Sequence, residues 1–365
     1  MSIKQATVRE ILESNENLQI LKVSIDETLS ACLDEVVLAY NYLQLGKSVS
    51  CGQRVFINTT GIGLALGTGG LAFIVPNQYH DDAVNYGHMV KLRYSPLQIP
   101  VDCAEEQQSP HHELLRDARS IEGMPVVCCG LHSQMPLVAA ALKQKAPETK
   151  VAYIMDDSAA LPLAFSKLVP QVLKAGLIDA TVSCGQAFGG QYEAINLYSA
   201  LLVTHLVCEA DVAIVAPGPG LAGTGTAFGF SGTAQGEALN AVAALEGRPI
   251  AALRLSWQDP RPRHQGLSHH SETILAQICH TPVSAAIPGS LSLAQREELE
   301  EKLAPLSHKK GHDFPTVEAD FFDIDLRGVE VTTMRRSYSE DPEFFSAALA
   351  AGILAAQELR IDRFG

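Results

Sequence analysis

Two patterns of hydrophobic and polar positions divide this chain. Up to about residue 105, short β-like runs alternate with polar turns: Leu18–Ile25, Arg54–Asn58, Leu71–Val75 and Met89–Tyr94. Gly46, Gly52, Gly67, Gly69 and Gly70 fall between the runs, where turns between strands call for small residues and positive φ. The pattern predicts a small β-barrel or sandwich over residues 1–105. Cys103–Glu113 is polar with little to bury, and a short charged segment follows it, so 106–122 reads as a linker.

After Gly123 the runs lengthen. Pro125–Cys129, Val151–Met155, Ala180–Ser183, Val212–Val215 and Ile250–Leu255 are continuous apolar strands, with a sixth candidate around Pro282–Ile287. Helix-like segments lie at about 135–146, 161–175, 191–208 and 233–246. Buried strands alternating with amphipathic helices predict an α/β fold over 123–365, a Rossmann-like, mostly parallel sheet with helices on both faces. The Ala-rich segment Glu343–Leu359 serves either to cover this core or to pair with a second subunit, and a homo-oligomer is the expected state.

Composition narrows the function classes. The 365 residues carry 41 Asp and Glu against 27 Lys and Arg, a formal charge of −14, so no broad basic surface exists for nucleic acid or an anionic membrane. The polar start resembles no secretory signal. The apolar window Gly61–Val75 is short and Gly-rich, and Leu197–Ala216 carries His205, Glu209 and Asp211, so neither predicts a membrane span. The eight cysteines form no framework, which suits reduced thiols in the cytoplasm.

In open α/β sheets ligands bind beyond the carboxyl ends of the strands, where the following loops gather. Those loops are Gly130–Gln134, Asp156–Ala160, Cys184–Gly190, Pro217–Gly232 and Ser256–His270. The fourth holds six glycines, including Gly218, Gly220, Gly223 and Gly225, together with Thr224, Thr226 and Ser231. Backbone without Cβ atoms can turn N–H groups onto a phosphate or carboxylate. Gly218–Gly223 also matches the form GxGxxG, but no acidic residue ends the next strand at the usual spacing, so a dinucleotide fingerprint is not indicated. The alternative is a packed loop whose glycines serve only its turns.

The fifth loop crowds Arg254, Asp259, Arg261, Arg263, His264, His269 and His270 into 17 residues of an acidic protein. Arg261 and Arg263 are candidates to hold an anion, and His264, His269 and His270 to move a proton or ligate a metal. Ser268 is placed to cap a helix, putting His269 and His270 in a first turn that favours neutral imidazole. Adjacent histidines usually diverge on a helix, so the pair is not expected to aim at one atom. Asp157, with Asp156, is a candidate acid/base or Mg²⁺ ligand, or else a helix cap before Pro162. His132, Gly189 and Gly190 are further candidates for the same cleft, and His132 equally for the core. Cys129 and Cys184 end strands and read as buried structural thiols. Lys91 and Arg93 alternate onto one solvated strand face.

Gly87–Gln98, Gly130–Gln134, Asp157–Pro162, Phe188–Gly190, Gly218–Gly232 and Arg263–His270 together resemble a bacterial family of about this length known only as a domain of unknown function. The resemblance covers nearly the whole chain. It implies a shared architecture and brings with it no activity, cofactor or catalytic residue. The residues therefore lead to an expectation of their own: a cytoplasmic protein that binds a small anionic metabolite, phosphorylated or nucleotide-like, for phosphotransfer or hydrolysis. The alternatives are a non-catalytic metabolite sensor and a metal-dependent hydrolase using Asp156, Asp259 and the histidines.

Overall fold

A computed structural model of the chain describes residues 2–25, 36–64, 70–76 and 87–364. They form two compact units, one up to Val101 and one from Asp102 onward. In the first, β1 (Ile3–Ser14), β2 (Leu18–Ile25), β3 (Val36–Tyr42), β4 (Arg54–Asn58) and β5 (Leu71–Val75) close into a barrel in the order β1-β2-β3-β5-β4. Only the β3–β5 pair is parallel. Alternate residues fill the interior, among them Ala6, Val8, Leu21, Val23, Val37, Ile57 and Ile74. The pattern of β1 is hard to read because its register slips between Val8 and Glu10 and again between Ile11 and Glu13. Gly67 and Gly69 lie outside the described residues.

A one-turn helix, α1 (Thr60–Gly63), precedes β5, and β6 (Met89–Lys91) pairs with β7 (Ile99–Val101). The expected strand face carrying Lys91 and Arg93 does not form. The strand ends at Lys91, Leu92 and Tyr94 take positive φ, and Lys91 is buried while Arg93 is exposed.

The second unit begins before the expected linker ends. Ala104 N–H donates to the Glu193 carbonyl at 2.9 Å, Ile195 N–H to Glu105 Oε1 at 2.7 Å, and fully buried Ile121 to the Leu245 carbonyl at 2.9 Å. The short helix α2 (His112–Leu115) lies within this stretch.

The sheet comprises β8 (Pro125–Cys129), β9 (Val151–Asp156), β10 (Ala180–Cys184), β11 (Tyr192–Ala194), β12 (Val212–Pro217) and β13 (Arg248–Ala252). Their order is β11-β10-β9-β12-β8-β13, all parallel. Helices α3 (Met135–Lys145) and α4 (Leu168–Lys174) pack on the face shown by Val127, Tyr153 and Ile214. Helices α5 (Leu197–Leu206) and α6 (Ala234–Ala244) pack on the face shown by Val126, Ile154 and Val215. Both faces are therefore covered, which is why the strands read as unbroken apolar runs. Neighbours β8 and β12 send the chain in opposite directions, β8 through α3 and β12 through α6. That divergence opens the crevice in which doubly wound sheets bind ligands.

Beyond β13 the chain forms a small antiparallel pair, β14 (Leu255–Ser256) with β15 (Gly266–Leu267), then α7 (His269–Thr273), which widens into a π-helical turn over Ile274–Ile278. The sixth strand expected near 282–287 is reduced to parallel bridges from Ser284 to Ile250 and to Asp313, and β16 (Ile287–Pro288) pairs instead with β17 (Thr316–Val317). Between these two lies α8 (Leu293–Lys310), a polar helix burying only Leu299, Leu303 and Leu306, which the hydrophobic pattern did not predict.

The last helix, α9 (Pro342–Phe364), lies in the core beside α3, with Phe344, Phe345, Ala348, Leu349 and Ala355 buried. Of the two roles open to this segment, it takes the first. Among the described residues no helix is long and apolar enough to cross a membrane.

The α3–α9 crossing depends on Gly352, where an added Cβ would lie 2.3 Å from the Val138 carbonyl oxygen and 3.0 Å from Ala141 Cβ. Gly352→Ala is expected to destabilise the second unit by about 1–3 kcal/mol, because the obstacle is backbone that cannot rotate away. Urea denaturation of both proteins checks this, and an unchanged midpoint would contradict the packing described.

Candidate functional site

The strand-end loops divide into those whose polar groups are used by the chain itself and one that gathers polar groups without using all of them. His132 belongs to the first kind. Its Nδ1 donates to the Pro217 carbonyl at 2.9 Å, so its Nε2 accepts from the Ser166 hydroxyl at 2.7 Å. Burial brings its pKa down to about 4, although the Pro217 bond pulls the other way. This is a neutral core histidine that fixes the end of β12 against the loop after β8.

Asp156 and Asp157 are similarly engaged. Asp156 is buried and accepts from both the backbone N–H and the hydroxyl of Ser158, and burial raises its pKa. Asp157 Oδ2 accepts the Gln186 N–H at 3.0 Å, so it ties the loop after β9 to the one after β10 rather than capping a helix at Pro162. Gly189 N–H donates to Glu193 Oε1 at 2.7 Å and Gly190 N–H to Ser183 Oγ at 2.9 Å. Cys129 is buried, and that burial pushes its thiol pKa up, the opposite of a nucleophile's requirement.

The glycine-rich loop folds on itself. Gly223 and Phe230 form an antiparallel bridge, Thr224 N–H donates to the Gly229 carbonyl at 2.7 Å, and Ser231 N–H donates to the Ala222 carbonyl at 2.9 Å. The hydroxyls of Thr224, Thr226 and Ser231 all bond within the loop. Gly220 and Gly225 take positive φ, while Gly218 is needed because a Cβ there would lie 2.3 Å from the Ala160 carbonyl oxygen. Most of the loop is exposed, and its end delivers Phe230, whose ring stacks on His270 at 3.8 Å and 3°.

That stack leads to the one concentrated site. Ser268 caps α7, accepting from His270 N–H at 3.3 Å, and contacts His264 Nδ1 at 2.7 Å. His269 and His270 leave the first turn of α7 about 100° apart. His264, brought back by the β14–β15 pair, sits about equally far from both. Ring centroids are 5.1 Å for His264–His269, 4.9 Å for His264–His270 and 4.4 Å for His269–His270. The adjacent histidines, expected to diverge, have rings closer to each other than to His264, and the three rings form a triangle. The Nε2 atom of His269 is buried and has no hydrogen-bond partner.

Around the rings stands a charge network. Asp259, only 1% exposed, accepts from Arg261 through N at 3.0 Å, Nε at 2.8 Å and Nη2 at 2.8 Å. Arg336 Nη2 reaches the same carboxylate at 3.5 Å and Arg254 Nη2 at 3.7 Å. Burial alone would raise the Asp259 pKa, but the Arg261 bonds prevail and hold it well below the usual carboxylate range. Asp341, fully buried, bonds Arg336 Nε at 2.9 Å. Arg254 Nη1 lies 3.2 Å from His270 Nδ1, and since a guanidinium can only donate, that nitrogen is the acceptor and Nε2 carries the hydrogen. Burial first, and then the Arg254 charge, lower His264 and His270 to about 3. His269 is lowered by burial and then by Arg263, which is exposed.

Of the residues singled out in the sequence, the structure brings together Arg261, Arg263, His264, His269 and His270, along with Arg254 and Asp259. Arg336 and Asp341 gave no local signal, and Phe230 was hidden within a loop chosen for its glycines. Among the described residues, His264, His269 and His270 also form the one group of three metal-capable side chains, with ligand atoms within 4.8 Å of one another; Asp156 and Asp157 form none.

A family with the description "Protein of unknown function (DUF3866)" matches residues 38–352. Comparison with curated proteins and with solved structures finds no match.

The neutral state of His132 has a consequence for stability. The unfolded chain takes up a proton near the ordinary value of 6.5, the folded chain only near 4. Stability is thus full above about pH 6.5 and falls as pH drops toward 4, by up to about 3 kcal/mol from this group. His132→Asn, which keeps an N–H donor, is expected to flatten that slope by about one proton in urea titrations across this range; an unchanged slope would contradict the assignment.

Proposed function

Since the chain belongs to the DUF3866 family, whose description assigns no activity, we propose its function from the site itself: it binds a small anionic metabolite, phosphorylated or nucleotide-like, over the histidine cluster. The observation that carries this reading is a concentration of guanidinium groups around the histidines. Four guanidinium groups, Arg254, Arg261, Arg263 and Arg336, gather beside three neutral imidazoles in a chain whose formal charge is −14, with Asp259 and Asp341 buried among them and Glu272 and Glu340 nearby. Clustered guanidinium groups on an acidic protein draw small anions while the rest of the surface repels polyanions.

The imidazoles suit the same ligand. His270 offers an Nε2–H, and the orphaned His269 Nε2 is a buried polar atom whose hydrogen bond remains to be made. The glycine-rich loop contributes through Phe230, which holds the His270 ring flat, rather than through its hydroxyls. Fixed guanidinium charge beside neutral imidazole supports phosphoryl transfer or hydrolysis, since the first stabilises charge that develops on oxygen and the second relays a proton.

Arg263→Ala tests the reading, because this residue is exposed and its loss leaves the Asp259 network intact. Affinity for inorganic phosphate and nucleoside monophosphates, measured by calorimetry, is expected to fall about tenfold, the effect of one charge-assisted bond. Equal affinity in the two proteins, or no binding to the wild type, would remove the reading.

A further inference from the structure

The geometry points to a divalent transition-metal site formed by His264, His269 and His270 alone, without a carboxylate. Three imidazoles converge with their ligand nitrogens within 4.8 Å of one another, and one of these rings presents a buried nitrogen, His269 Nε2, that nothing in the chain satisfies. Ligands on a tetrahedral zinc-like ion sit about 3.3 Å apart, given metal–nitrogen bonds of about 2.0–2.1 Å, so closure asks for a side-chain shift of about 1 Å. Neutral imidazole selects zinc, cobalt, nickel or copper over Mg²⁺ or Ca²⁺, which require oxygen ligands.

The surroundings supply the rest of such a site. Ser268 Oγ lies 2.7 Å from His264 Nδ1, able to accept its hydrogen and leave Nε2 free to ligate. Stacking on Phe230 fixes the His270 plane. The carboxylates expected to take part are committed elsewhere, Asp259 to Arg261 and Asp156 to Ser158. Three protein ligands leave at least one coordination position open.

One contact opposes the metal and makes the inference sharp. Arg254 donates to His270 Nδ1 at 3.2 Å, which puts the ring hydrogen on Nε2. For His270 to ligate, the guanidinium must give up this contact, and its other nitrogen already faces Asp259 at 3.7 Å. Arg254 is therefore a competitor of the metal and, in the reading above, a helper of the anion. The two ideas predict opposite signs for one substitution.

Protein stripped with a chelator is titrated with Zn²⁺ and Co²⁺, counting bound ion by elemental mass spectrometry and following the visible absorption of Co²⁺. One ion per chain is expected, with affinity falling at least a hundredfold in His269→Asn and in His264→Asn, and rising in Arg254→Met. Circular dichroism checks that each variant is folded. Substoichiometric metal lost on desalting, undiminished affinity in His269→Asn, or weaker affinity in folded Arg254→Met would overturn the site. Phosphate titration of the same metal-free protein reports on the anion reading separately: metal bound without phosphate leaves this site standing and removes that reading, and phosphate without metal does the reverse.

Discussion

The arrangement rests on one buried carboxylate. Asp259 is sealed from water and survives as a charge only because Arg261 grips it through three N–H groups while Arg254 and Arg336 face it. An ionised carboxylate buried without such partners would cost several kcal/mol, and removing this one would leave three guanidinium groups without their common counter-ion. The shared ion joins parts of the chain that are distant in sequence: the end of β13 at Arg254, the loop that returns to His264, and the segment before α9 at Arg336. Asp341 extends the joint from Arg336 to the first turn of α9, where a carboxylate also meets the positive end of the helix dipole.

Burial and then charge set the character of the imidazoles. Burial, and then the fixed cations beside them, hold these rings neutral, and each retains a lone pair and a hydrogen whose positions depend on its neighbours. Arg254 settles that choice for His270, and Pro217 settles it for His132. The two histidines differ in what remains: His132 has both nitrogens occupied, whereas the cluster holds a nitrogen with nothing to bond. That residual bonding capacity, more than the residue type, separates a candidate site from a core histidine.

Much of the architecture was legible in the sequence because its physical cause is local. Strands covered on both faces must be apolar throughout, so β8, β9, β10, β12 and β13 could be read directly. The barrel was harder, since the register slips in β1 break the alternation that marks a strand. Helix α8 escaped notice because it buries one narrow stripe and is otherwise polar. The histidine and arginine cluster was visible because 17 residues concentrate charge unusual for this chain. Arg336 and Asp341 come from more than 60 residues further on, and only the folded chain makes them neighbours. The glycines of the loop after β12 correctly signalled close approach, but Gly218 approaches the chain's own Ala160 carbonyl rather than a ligand.

The position of α9 in the chain bears on the order of assembly. During synthesis the barrel strands emerge early and can close among themselves, because every partner they need lies within the first unit. The sheet has no such independence. The cover that α3 and α4 give one of its faces is completed only when Phe344, Phe345, Leu349 and their neighbours arrive, some two hundred residues after the α3 surface they pack on. Until then the apolar residues of α3 that α9 covers lack their partner, so the second unit cannot complete its core until nearly the whole chain has been made.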